Sequence, residues 1–105
     1  MLKINKSPTF KYTVAVNTAA IQGDFEALFE ALPTDELDKL DDGQPGAWKK
    51  VLARVTKAFG AVEIEGESFD SDSPGALDKL TRWPGVGAAM LRAYYAGLWE
   101  NTQGN

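Results

Sequence analysis

The residues of this chain best able to do chemistry fall into four groups. The turn Trp83-Pro84-Gly85-Val86-Gly87 lies between two stretches with helical spacing. Consecutive backbone N–H groups at a helix start form an anion-binding concavity. Gly85, Val86 and Gly87 could therefore hold a phosphate, and Arg92 is the nearest cation after them. Lys49, Lys50, Arg54 and Lys57 form a basic stretch with no acid between Gly43 and Val62. On a helix Lys50, Arg54 and Lys57 would share one face, open to phosphates or an acidic protein surface. Glu63, Glu65 and Glu67 alternate as carboxylates on one strand face could, and paired carboxylates can do acid/base work. Asp70-Ser71-Asp72-Ser73-Pro74-Gly75 spaces its acids and its glycine like the opening of a calcium loop.

Each group also has a plainer reading. The twelfth position of a calcium loop needs a bidentate Glu, and Thr81 stands there; Pro74 occupies a position that should supply an oxygen. Cap chemistry accounts for those residues better. The three glutamates sit in a Gly-containing segment with no polar cluster to organise them, so they are expected to face solvent. The basic stretch reads as a solvated helix face, balanced by Asp35, Glu36, Asp38, Asp41 and Asp42 ahead of it. The chain has no Cys and no His, which removes disulfides, thiolate metal sites, the usual general base and most nucleophilic triads. The expectation is a protein with no catalytic residues, no metal and no cofactor. The turn at 83–87 resembles that of helix–hairpin–helix modules, which makes a small nucleic-acid-binding module the alternative function. Against it stand a net charge of −4, a single such turn, and Pro84, expected at the first helical position as ordinary helix-start chemistry.

The elements that must position these residues can be read from pattern. At 105 residues with 44% hydrophobic content the chain is expected to form one domain, residues 1–105, around one modest core. No apolar run reaches membrane-spanning or signal-peptide length, so a cytosolic protein without a membrane partner is expected. Residues 10–16 alternate through Tyr12, Val14 and Val16 and predict a strand. Residues 24–32 fit two periods. Phe25, Leu28, Phe29 and Leu32 make a helical stripe, while Phe25, Ala27, Phe29 and Ala31 alternate as a strand would. Thr34 is expected to cap a short helix buried through Leu37 and Leu40. Trp48, Val51, Leu52, Val55 and Phe59 predict a helix over 46–59 stopped by Gly60. A short extended piece is expected at 61–65 and a loop at 66–72. Ser73 is expected to cap a second short helix with Pro74 in its first position, running to about Arg82.

A long helix is expected over 84–100. Val86, Met90 and Tyr94 share one stripe; Leu91, Tyr95, Leu98 and Trp99 spread onto an adjacent one. Tyr94 and Met90 are expected in the core. Tyr95, Leu98 and Trp99, with Trp83, are the candidate partner-binding residues, supplemented by Lys50, Arg54 and Lys57.

Across most of its length the chain resembles the small tail assembly chaperones of long-tailed, lambda-like bacteriophages. The resemblance is carried by Ser7-Pro8-Thr9-Phe10 leading into Tyr12-Thr13-Val14-Ala15-Val16, by Gly23-Asp24-Phe25-Glu26-Ala27-Leu28-Phe29 and by Thr34-Asp35-Glu36-Leu37-Asp38-Lys39-Leu40. It continues through Leu77-Asp78-Lys79-Leu80, Pro84-Gly85-Val86, Ala89, Ala93-Tyr94 and Leu98. It departs at Trp83 and at the paired tyrosines. The resemblance implies that 24–31 is a strand paired with 10–16. It also implies a non-enzymatic chaperone that coats the tape-measure protein and recruits tail-tube protein in the host cytoplasm, and that is absent from the mature virion; the terminal helix and the 46–59 face are expected to contribute to self-association or to tape-measure binding. The expected fold is α+β: a two-stranded N-terminal β-hairpin over 1–32, a layer of about four helices over 33–100 and a flexible tail at 101–105.

Overall fold

The computed structural model describes residues 1–99; the tail expected at 101–105 and the helix end expected at 100 lie outside the described residues. The fold is α+β, built on an N-terminal antiparallel hairpin. Strand β1 (Thr9–Asn17) pairs along its whole length with β2 (Gln22–Glu30), with Val14 opposite Phe25 and Tyr12 opposite Ala27. The ambiguity at 24–32 resolves to a strand. Phe25, Ala27 and Phe29 are buried while Leu28 points to the other face, half-buried. Helix propensity favoured the alternative, but only a strand could pair with the backbone of β1. In the turn the Thr18 N–H donates to the Ile21 carbonyl (2.8 Å) and the Ile21 N–H to Thr18 Oγ1 (2.9 Å).

Helix α1 (Thr34–Leu40) follows, with Leu37 buried and Leu40 half-buried. Its cap is Pro33, whose carbonyl accepts from Glu36 and Leu37, so Thr34 is the first helical residue rather than the cap. Helix α2 (Ala47–Val55) buries Val51, Leu52 and Val55. The helix expected to run to Phe59 ends there. Thr56–Phe59 forms strand β3 on the open edge of β2, so the sheet is three-stranded in the order β1-β2-β3. Phe59 satisfies the helical stripe and the strand equally, since both periods bring it to the core side. The unpaired edge of β2 decides between them. Phe59 then packs against Phe25 at 6.0 Å and Phe69 at 6.4 Å. The ladder slips by one residue between Leu28 and Phe29, and Lys57 is the extra residue of that bulge.

The segment expected as extended piece plus loop is a second hairpin, β4 (Val62–Ile64) and β5 (Glu67–Phe69). Its turn holds Glu65 at φ 55° and Gly66 at φ 83°, the two positive values of a type I′ turn. The region 33–100 is therefore helical only in part. Helix α3 (Ala76–Thr81) and helix α4 (Val86–Trp99) complete the chain.

Three helices begin in the same way. Gln44-Pro45-Gly46-Ala47, Ser73-Pro74-Gly75-Ala76 and Trp83-Pro84-Gly85-Val86 each place proline second and a glycine of positive φ third. Those φ values are 83°, 66° and 87°. In each, the fourth N–H bonds to the first carbonyl, at 3.1, 3.1 and 3.3 Å. This is type II turn chemistry, which needs glycine at the third position. It also corrects two expectations: Pro74 and Pro84 are turn residues, not first helical residues, and Ser73 caps nothing through its side chain.

Helix α4 lies across the inner face of the hairpin. Val86, Ala89, Met90, Ala93 and Tyr94 are buried, Met90 and Tyr94 completely. The approach is closest at Gly97, where a Cβ would stand 2.4 Å from Phe10 and 2.8 Å from Tyr12. The Tyr94 ring meets Phe29 edge-on at 5.4 Å and stacks on Phe10 at 5.8 Å. Its hydroxyl donates to the Glu30 carbonyl (3.0 Å) and accepts from the Leu32 N–H (3.2 Å). One side chain thus satisfies both backbone groups where β2 ends.

Candidate protein-binding surface

Helix α4 carries two apolar stripes, and the sheet can cover only one. The second runs through Leu91, Tyr95, Leu98 and Trp99, spaced i, i+4, i+7 and i+8. Leu91, Tyr95 and Leu98 are half-buried, and Trp99 is 63% exposed. Tyr95 packs edge-on against Tyr94 at 5.3 Å. Burial pushes its phenol above the usual tyrosine value, and the carboxylates of Asp41 and Asp38 push it the same way. The rim beside Tyr95 is therefore acidic.

At its N-terminal end the stripe meets a groove of about 430 Å³ lined by Trp48, Trp83, Ala88 and Leu91. A cation rides on each indole: Lys49 lies 5.5 Å from the Trp48 ring and Arg82 lies 5.8 Å from the Trp83 ring. Trp83 is half-buried and also walls a second, open cleft of about 410 Å³ behind it. Val16, Phe25, Val62, Ile64 and Leu80 make the apolar walls of that cleft. Both clefts fall in the size range of ligand sites. The structure does not bring Trp83 together with Leu98 and Trp99. The 14 residues of α4, about 20 Å of helix, separate them.

The expected basic face is not free. Lys50 pairs with Asp42 at 3.1 Å, which the acids ahead of the helix anticipated. Arg54 and Lys57 do something else. Arg54 grips both oxygens of Glu30, at 3.2 and 3.3 Å, and Lys57 adds a contact at 3.0 Å. Glu30 is the one charged residue among the described residues that is buried, at 8% exposure. The hydrogen bonds from Arg54, then those from Lys57, hold its carboxyl below the usual glutamate range. Lys57 reaches it from a strand bulge, not from the helix face expected for it. Arg54 and Lys57 are therefore committed to neutralising an internal carboxylate. No signal at Glu30 marks this in the sequence, because the partners lie 24 and 27 positions away.

The residues of the alternative phosphate site are closely packed. A Cβ on Gly85 would touch Thr18 Cγ2 at 2.6 Å, and one on Gly87 would strike the Trp48 ring at 2.5 Å. Val86 is buried, while Arg92 is exposed on the following turn. The glycines thus serve close packing of the hairpin turn and of α2 against the start of α4. Asp70 accepts from the Asp72 N–H at 3.0 Å, a local Asx turn. Among the described residues no cluster of three potential metal ligands forms, and no helix is long and apolar enough to cross a membrane. Trp48 is the residue sequence reasoning missed at this surface, as Gly97 is on the inner face of α4 against Phe10 and Tyr12. The spacing places Trp48 on the core stripe of α2, and only the small residue Gly87 marks the close helix crossing there. Compared with known protein families, with characterised proteins and with solved structures, the chain matches none.

Proposed function

We propose that this chain is a non-enzymatic tail assembly chaperone that holds the tape-measure protein on the outer stripe of α4 and recruits tail-tube subunits by protein–protein contact. It would act in the host cytoplasm and leave before the virion is complete. The observation that carries the reading is the outer stripe of Leu91, Tyr95, Leu98 and Trp99, whose first three residues are only partly covered by the core and whose end, Trp99, is exposed. A holdase needs apolar surface of this kind, and tryptophan and tyrosine are the residues that most often anchor partners. Strand β2, Gln22–Glu30, where the resemblance to these chaperones implied a strand at 24–31 and periodicity left it open, supports the same reading.

The test is capture of the tape-measure protein encoded beside this chain, by co-expression and pull-down. Tyr95→Ala with Trp99→Ala should weaken capture about tenfold or more while far-UV circular dichroism stays unchanged. Undiminished capture by the double variant would remove the stripe from the binding site. Duplex DNA at low salt should not bind. Salt-sensitive DNA binding lost on Arg92→Glu would favour the turn at 83–87 instead; Gly87→Glu would mislead, because it collides with Trp48.

A further inference from the structure

Ahead of β1, residues 1–7 are exposed throughout. Met1, Leu2 and Ile4 are 115%, 86% and 76% exposed, more than any other large apolar residue among the described residues. Leu2 and Ile4 are two positions apart, so an extended arm puts them on one side, with Lys3 on the other and Lys6 further along. The arm is thus a short apolar tooth carrying two lysines.

The cleft behind Trp83 has the complementary character. Its walls are apolar, through Val16, Phe25, Val62, Ile64, Leu80 and Trp83, and Asp24, Glu63 and Glu65 line it as well. Among the described residues these three carboxylates form no ion pair, and neither do Lys3 and Lys6. One wall is strand β4, which is paired on one side only, by β5. Its free edge offers backbone hydrogen bonds to an extended peptide, with pockets for alternate side chains.

The arm cannot bring Leu2 and Ile4 together into the cleft of its own chain. It leaves the sheet at Thr9, whereas the cleft opens at the turn end of the hairpin beside Val16. Seven residues of β1 separate those points, roughly 23 Å. Ile4 precedes Thr9 by five residues, which span at most about 18 Å when fully extended. A second molecule meets no such limit.

From these placements we infer that the N-terminal arm of one copy docks in the Trp83 cleft of a second copy. Leu2 and Ile4 enter between β4 and the start of α4, and Lys3 and Lys6 meet Asp24, Glu63 and Glu65. The contact uses Trp83 and Val86 at the start of α4, so it stands independently of the chaperone reading, which uses the stripe from Leu91 to Trp99.

Sedimentation velocity of the full chain over a wide concentration range tests it. The wild type should self-associate. Leu2→Ser with Ile4→Ser changes exposed residues only, and should weaken association about tenfold or more with unchanged circular dichroism. Glu63→Lys with Glu65→Lys should do the same, as should Lys3→Glu with Lys6→Glu. Mixing the two charge-reversed proteins should restore a salt-sensitive complex between them. A wild type that is monomeric throughout overturns the inference. So does association that survives the arm substitutions, which would point to another face such as the outer stripe of α4. Loss of tape-measure capture by the stripe variant, with self-association intact, would separate the two sites.

Discussion

Tyr94 and Tyr95 are the same residue type one position apart on one helix, and they occupy opposite situations. Tyr94 is fully buried between Phe10 and Phe29, with its hydroxyl donating to one backbone group and accepting from another. Tyr95, about 100° further round the helix, touches Tyr94 on one side and is half-open to solvent on the other. Residue type therefore says little about role on this helix. What decides is which azimuth the three-stranded sheet covers. The sheet covers the stripe through Met90 and Tyr94, and the second stripe stays half-buried at Leu91, Tyr95 and Leu98 and open at Trp99.

The sharpest way to break that contrast is to truncate each ring. Tyr94→Ala should destabilise by about 3–5 kcal/mol in urea unfolding, as removal of a buried aromatic does. Tyr95→Ala should cost roughly 1 kcal/mol. Equal costs would mean that the two stripes do not differ in kind. Next comes Gly97→Val, which forces a branched side chain into the Phe10 and Tyr12 rings. We expect a loss of about 1–3 kcal/mol, read by the same measurement.

Tyr94→Phe keeps the ring and removes only the hydroxyl. It strands the Leu32 N–H and the Glu30 carbonyl, and should cost about 1–3 kcal/mol. A neutral result would show that water replaces the hydroxyl there. The effect of pH on Glu30 is expected to be smaller. Its folded carboxyl lies below the usual 4.5 because Arg54 and Lys57 hydrogen-bond it. The folded state therefore binds that proton less tightly than the unfolded chain. The stabilisation is complete above the usual value and is lost as pH falls through the lowered folded value. Glu30→Gln should flatten that acid limb in stability-versus-pH curves, and an unchanged limb would detach the triad from acid unfolding. Smallest of all should be Trp99→Ala, within about 0.5 kcal/mol in stability. Its effect belongs in partner capture, and a large stability loss would make Trp99 part of the core instead.

Much of this architecture was readable in advance, and the places where reading failed have a common cause. Local pattern was enough for β1, α1, the inner face of α4 and the division of its aromatics into two stripes. Each of those rests on periodicity within one element, which the chain carries in its own order. Patterns compatible with two periods were not decidable that way. Residues 24–32 needed the pairing with β1, and Phe59 fitted helix and strand alike until the open edge of β2 claimed residues 56–59. The three Pro-Gly turns were visible as letters, but their equivalence was not, because a positive φ is a property of the folded backbone. The candidate surface shows the same division. Tyr95, Leu98 and Trp99 stood out by type and spacing. That Arg54 and Lys57 are spent on Glu30, and that Trp83 lies a helix length from Trp99, follows only from how distant segments meet. Hydrophobic period is a local quantity; charge pairing, edge pairing and close approach depend on which surfaces the fold leaves open, and those are set by the whole chain at once.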